Sequence, residues 1–268
     1  MELDLDGGRL AVFLGGLSLF LLLETVFPAR PWQTGRAKRL FFHASLAAVN
    51  TVLVRILIYV PLLLWIVHVE EQGWGVARWL GLHDWQEVVV SLIALDLFDY
   101  FWHRANHVIP LLWRFHKAHH HDSEMDVSTA LRFHPGELFL SAFAKASWVL
   151  IWGPSAMAWF VFEGLISLCA QFHHSNIDLP APIDRWLRRV VVTPRFHTSH
   201  HAVERAYGHA NYSTIFSFWD PLFGTYRMIP RAQLNSEAIG LPEARDLTLS
   251  YRAWFAEPFM RRNTGLPD

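Results

Sequence analysis

Eleven of the sixteen histidines of this chain fall into three clusters with repeated spacing. The first cluster holds His103 and His107 as HxxxH, then His116, His119 and His120 as HxxHH, with His121 directly after. His173 and His174 form a pair, and His197, His200 and His201 repeat HxxHH. On a helix, residues four apart share one face, so the rings of His103 and His107 can converge on one ion. Neutral imidazole is a good ligand for iron, zinc and copper. One histidine on an apolar face is more often a hydrogen-bonded core residue than a ligand, but packing does not generate this grouping. Nine or ten imidazoles in two opposed sets exceed the needs of one tetrahedral zinc. They suit two ions sharing a cavity, each with an open position.

Such an open, nitrogen-ligated pair beside lipid points to oxygen activation, because unactivated C–H bonds offer no acid–base or nucleophilic handle. The absence of HExxH and GxSxG argues against a zinc protease or serine lipase. Three other readings remain. A bis-histidine haem carrier would need its ligands on facing spans at membrane depth, and a metal-binding or transport protein would need them along a polar midplane path. A zinc-dependent lipid hydrolase would use fewer histidines and a carboxylate base.

The elements that must position these residues read as membrane helices. Hydrophobic residues make up 52% of the chain and charged residues 18%, with 13 Trp and 20 Phe, which together point to a bilayer. The net charge of −1 and the lack of a basic tract speak against a nucleic-acid partner. Cys169 stands alone, so neither a disulfide framework nor CxxC chemistry is available. An apolar run over residues 10–27 is long enough to cross a bilayer, and Glu2, Asp4 and Asp6 stand where a signal peptide would be basic. Residues 42–69 form a second run, kinked at Pro61, in which Arg55 must face the bundle or find a partner. The third, 88–109, carries Asp96 and Asp99, and Asp99 lies one turn before His103. The sequence predicts Asp99 as the group that orients the His103 ring, with a helix–helix hydrogen bond as the alternative.

A fourth apolar stretch, 138–172, is broken at residues 152–154 and predicts a hairpin of spans or half-spans. The expected fold is therefore all-α and integral to the membrane, with about four transmembrane helices and a histidine-rich cap. Basic residues after the first run and acidic ones after the second put the N-terminus outside and the histidines at the cytoplasmic face. Residues 181–201 are amphipathic, as expected of a helix in the headgroup layer, and the chain from Met228 onward reads as a tail without chemistry. No repeat or linker divides the chain, so 1–268 is expected as one domain with its histidine core at about 90–228.

The stretches HRANH, HKAHHHDSEMDVSTALRFHPGE, QFHHSNI, HTSHH and GHANYSTIFSFWDPLFGTY resemble, in order and spacing, the fatty acid hydroxylase and sterol desaturase superfamily. The resemblance covers roughly residues 90–228. It implies a membrane-bound non-haem di-iron enzyme that uses O2 and external electrons to hydroxylate or desaturate a lipid, be it a sterol, a fatty acyl chain or an alkyl ether. The implied ligands are His103, His107, His116, His119, His120, His174, His197, His200 and His201, holding two iron ions whose place zinc can take on purification. STALR is similar to the alkylglycerol monooxygenase branch, which uses a pterin, whereas RFHPGE is closer to bacterial sterol desaturase-like members, which implies an inner-membrane location. The electron donor would be a separate ferredoxin, cytochrome b5-like or pterin system. His121 and His173 are expected to support ligands or water rather than the ions, and His134 resembles part of a family motif that need not bind metal. Asn211, with His209 and Asp220, is expected to shape the floor of the site, and His43, His68 and His83 to be structural or interfacial.

Overall fold

The computed structural model describes residues 5–234, 236–242 and 248–260 of the chain. Glu2 and Asp4 lie outside the described residues, as do the side chains of Asp6 and Arg55. Ten helices lead to and through the histidines: α1 Leu5–Val26, α2 Arg36–Val54, α3 Val60–Glu71, α4 Val76–Trp79, α5 Asp84–Val108, α6 Pro110–His120, α7 Pro135–Trp152, α8 Ala156–His174, α9 Ala181–Leu187 and α10 Pro194–His200. Isolated bridges are the only extended pairings among the described residues.

Two helices, α1 and α8, are long and apolar enough to cross a membrane, and α2 with α3 makes a third candidate if a 49° bend is allowed within one span. A π-helical turn, Arg55–Tyr59, and Pro61 at the start of α3 account for that bend. The count of two or three falls short of the four expected crossings. Helix α5 has 25 residues, enough length, but Glu87, Asp96 and Asp99 are buried along it, and α7 carries Glu137 and Lys145.

The expected break at 152–154 is a tight corner. Gly153 ends α7 in the left-handed region at φ 72°, and a Cβ there would lie 2.0 Å from the Trp74 carbonyl oxygen, so only glycine fits against the 74–75 strand of chain. Ser155 then caps α8. Glu87 of α5 accepts from the Ser155 amide and hydroxyl, and Glu70 of α3 accepts from Ala156 N at 2.7 Å, so two carboxylates hold the start of α8. The core beneath joins α3, α5, α7 and α8 through Ile66, Val69, Leu95, Val149, Trp159, Phe162 and Ile215.

The stretch 181–201 is two helices rather than one amphipathic helix. Thr193 caps and Pro194 opens a new helix, α10, which turns inward, while Ile183 and Trp186 of α9 stay exposed. The C-terminal segment also departs from the tail that was expected. Trp254 is buried, Glu257 pairs with buried Lys117 of α6 at 3.0 Å, and the Thr248 carbonyl accepts from Arg132 at 2.7 Å. A lysine inside this layer must be paired, and the segment supplies its carboxylate.

Candidate metal centre

Four elements bring the histidines together. Helix α5 ends in an extended residue, Ile109, and Pro110 starts α6 at an angle, so His103 and His107 face the α6 histidines. The last turn of α8 supplies His174, and α10 with its C-terminal residue supplies His197, His200 and His201. Two buried groups result: His103, His107, His116, His120 and His200 in one, and His119, His174, His197 and His201 in the other, with one ring nitrogen from each member within 4.8 Å of the rest of its group.

The HxxHH spacing divides between these groups. In α6 the outer pair, His116 and His120, shares a face and joins the first group, while His119 turns to the second. In α10 the outer pair, His197 and His201, joins the second group and His200 the first. The groups meet where the His120 and His201 rings stack at 4.3 Å between centroids.

The outward nitrogens of most rings are tied down. Nδ1–H of His103 donates to the Tyr212 carbonyl at 2.8 Å, that of His200 to Ala210 at 2.7 Å, that of His174 to Ala170 at 2.8 Å and that of His119 to Arg132 at 3.2 Å. His116 Nδ1 donates to the Glu137 carboxylate at 2.8 Å. This fixes the tautomer that leaves Nε2 as a lone pair, as ligand shells require. The Nε2 atoms of His116, His120 and His200 are buried with no partner. In the second group, Nε2 of His174 stands 3.0 Å from that of His119 and 3.0 Å from that of His197, which is 3.1 Å from that of His201. Lone pairs gathered this closely fit a shared cation with metal–nitrogen bonds of ~2.0–2.1 Å. Burial first, and then the neighbouring imidazoles, hold His119, His120, His197, His200 and His201 well below the ordinary histidine range, so they are neutral at pH 7.

Several expected roles change. Asp99 does not orient His103, because a backbone carbonyl occupies that nitrogen. Asn211, at φ 61°, exchanges hydrogen bonds with the backbone of Arg227, accepting from its amide at 2.9 Å; it pins the loop that presents the Ala210 and Tyr212 carbonyls instead of touching a ring. Asp220 holds the same loop through Tyr212 N and Ser213 N, each at 2.8 Å. His121 and His173 are buried but belong to neither group. His173 packs on His197 at 4.1 Å and hydrogen-bonds the Thr214 backbone. His134 caps α7, accepting from Gly136 N. His209 lies 5.8 Å from the His107 ring. His43 hydrogen-bonds Ser128 at 2.8 Å, His68 packs on Trp65 and His83 is exposed, all away from the groups.

Residues to which the sequence assigned no role at the site do much of the positioning. Asp96, fully buried, accepts from Thr214 Oγ1, Ile215 N, Phe216 N and Trp219 Nε1 at 2.8–3.0 Å. Glu24 of α1 accepts from Val127 N and Asn176 N, both at 3.0 Å, and so ties the segments after α6 and α8 together. Arg39 of α2 grips Asp122 with two bonds of 2.8 Å and also bonds Asp126 and Thr129, just after the α6 histidines. Burial alone would raise the Asp122 carboxyl, but Arg39 beside it holds it well below the usual carboxylate range. A paired intramembrane carboxylate was the available signal for Asp96; nothing local announced Glu24 or Arg39.

A cavity of about 310 Å³ opens onto the histidines and runs between α5, α7 and α8, with mostly apolar walls. His103, His116, His119, His174 and His197 close one end, and Asp99 and Lys145 stand among its other lining residues.

The fatty acid hydroxylase family model matches residues 88–225. Ornithine lipid hydroxylase OlsE of Rhizobium tropici is 31% identical over 179 residues, 66% of this chain and 51% of that protein. Human alkylglycerol monooxygenase is 30% identical over 144 residues, covering 51% of this chain and 29% of that protein. Human cholesterol 25-hydroxylase is 25% identical over 146 residues, 52% of this chain and 51% of that protein. The chain thus spans about half the length of these relatives or less. No solved structure matches it.

Proposed function

The chain belongs to the fatty acid hydroxylase family, and from that premise we propose that it is an integral membrane di-iron oxygenase that hydroxylates or desaturates a lipid. The observation that carries this reading is the pair of buried histidine groups, in which Nε2 of His116, His120 and His200 has no partner and Nε2 of His119, His174, His197 and His201 face one another at 3.0–3.1 Å. The hydroxylases and monooxygenase among its relatives act by name on ornithine lipid, alkylglycerol and cholesterol, which supports a lipid substrate here.

The ligands would be His103, His107, His116, His120 and His200 for one ion and His119, His174, His197 and His201 for the other. Bound iron would supply the reduction of O2 and the oxidising power that an unactivated C–H bond requires. The chain's own part is positional. Carbonyls of Ala170, Arg132, Tyr212 and Ala210, with the Glu137 carboxylate, hold five of the rings in one tautomer, and the burial that keeps His119 and His200 neutral leaves their lone pairs free for metal rather than a proton. The apolar cavity orients a hydrocarbon segment beside the histidines and keeps bulk water from the reacting carbon.

In this reading the membrane is crossed by α1, the bent α2–α3 pair, α5 and the α7–α8 hairpin. The N-terminus lies outside, and the histidines face the cytoplasm of a bacterial inner membrane, where a separate ferredoxin, cytochrome b5-like protein or pterin system delivers electrons. The test is incorporation of ¹⁸O from ¹⁸O2, or O2-dependent loss of hydrogen, in lipids of cells expressing the chain. His119→Ala and His200→Ala should abolish it, and His83→Ala should leave it intact. Activity retained in His119→Ala would overturn the assignment.

A further inference from the structure

Asp99, Glu137 and Lys145 are the charged residues in the wall of the cavity; Glu137 is engaged by His116, and Lys145 stands where α7, α8 and α1 meet. There Glu163 pairs with Lys145 at 3.1 Å and with Arg9 at 3.4 Å, and the Lys145 ammonium lies 5.5 Å from the centre of the Trp159 ring. Asp99 lines the same cavity and is 6% exposed. Lys145, Asp96 and Glu163 act on its charge from a distance, and no hydrogen bond reaches its carboxylate among the described residues. Its expected duty toward His103 is taken by the Tyr212 carbonyl. A carboxylate left in apolar surroundings without a hydrogen bond is costly, so a missing partner is implied.

We propose that Asp99 and Lys145 form the polar end of the substrate site and hold the hydroxyl of a lipid alcohol, which donates its O–H to Asp99 and accepts from the Lys145 ammonium. This rests on the oxygenase reading above and names its substrate class. Asp99 offers an acceptor and Lys145 a donor in the wall of one cavity, and a hydroxyl answers both with a single group. Asp99 lies four residues from His103, a rise of ~6 Å, and Lys145 lies eight residues beyond Glu137, whose carboxylate holds His116, a rise of ~12 Å. A hydroxyl seated there leaves the carbon nearest the histidines one to two turns away. Oxidation therefore falls at a carbon remote from the hydroxyl and not at the carbinol carbon.

The test is equilibrium binding to the full chain in nanodiscs, with two probes that carry the same group on different skeletons: cholesterol and 1-O-hexadecylglycerol. Each is compared with its O-methylated derivative, in which no hydroxyl hydrogen remains. One alcohol should bind about tenfold or more tightly than its ether, as loss of a hydrogen bond to a charged group predicts. Asp99→Asn and Lys145→Met should each weaken the alcohol and leave the ether unchanged, and the probe that responds identifies a sterol or a glycerol skeleton. Equal binding of alcohol and ether, binding of neither alcohol, or two variants that bind as wild type would overturn the proposal. Should Asp99→Asn fail to fold, the alcohol–ether comparison on wild type and on Lys145→Met decides alone. Binding needs no turnover, so a chain that binds the alcohol but incorporates no ¹⁸O would refute the oxygenase reading and leave this site standing.

Discussion

Asp96→Ala tests whether the loop beside the histidines is held from within α5. The carboxylate accepts four hydrogen bonds, from Thr214, Ile215, Phe216 and Trp219. Removing it strands two backbone N–H groups and an indole N–H in a site closed to solvent. Each bond to a buried charge contributes roughly 1.5–3 kcal/mol, but the sum is offset by the desolvation of the carboxylate itself. Loss of one partner from such a buried network therefore costs about 3–5 kcal/mol. Asp96→Asn keeps one acceptor oxygen and should cost roughly half as much. The loop runs directly on from the Ala210 and Tyr212 carbonyls that orient His200 and His103, so metal should be lost from the first histidine group before the second. Denaturant unfolding of the detergent-solubilised protein, with metal content measured in parallel, gives both quantities. A cost below about 1 kcal/mol with metal content unchanged would show that Asp220 and Asn211 suffice to hold the loop, and would refute the argument.

Three further outcomes follow from the buried charges. Arg39→Lys replaces a planar fork that bonds Asp122 twice with a point charge, and should lower stability by about 2–4 kcal/mol in the same assay; an unchanged midpoint would contradict the bidentate role. Glu257→Ala leaves Lys117 buried and unpaired and should cost about 3 kcal/mol, whereas Glu257→Ala combined with Lys117→Met should recover most of that loss. The metal-free protein should become acid-labile. His119, His120, His197, His200 and His201 sit below their unfolded value of about 6.5, so below that pH the unfolded chain binds more protons than the folded one. Their contribution is complete above pH ~6.5 and falls as the pH drops, by up to about 1.4 kcal/mol per pH unit for each histidine. Thermal midpoints of the metal-free protein from pH 7.5 to pH 5 check this, and stability that rose on acidification would contradict it.

The division of HxxHH between the two histidine groups follows from helical spacing. In both boxes the outer histidines are four apart and share a face, while the middle one points elsewhere, so the split was present in the sequence once both segments were helical. The hairpin was legible for a similar reason, since residues 152–154 interrupt an apolar run with groups that end a helix. The orienting partners were not. Four of the five Nδ1 atoms with a fixed acceptor find a backbone carbonyl, and every residue has one of those, so no side-chain pattern distinguishes Tyr212 or Ala210. The i, i+4 spacing of Asp99 and His103 suggested a contact that the ring does not make. The burial of Arg39 against Asp122, 83 residues away in sequence, lies equally beyond local spacing. Charge within α5 and α7 also makes them less apolar than α1 and α8, because Asp96 serves the loop and Lys145 lines the cavity.

The most direct measurement is metal stoichiometry of the purified full chain, on wild type, His119→Ala and His200→Ala, after expression in iron-rich medium. The account predicts about two irons per chain in the wild type, magnetically coupled, and a fall in each variant, because each removes a ligand from a different group. A single tightly held zinc without iron, or full metal content in both variants, would contradict it.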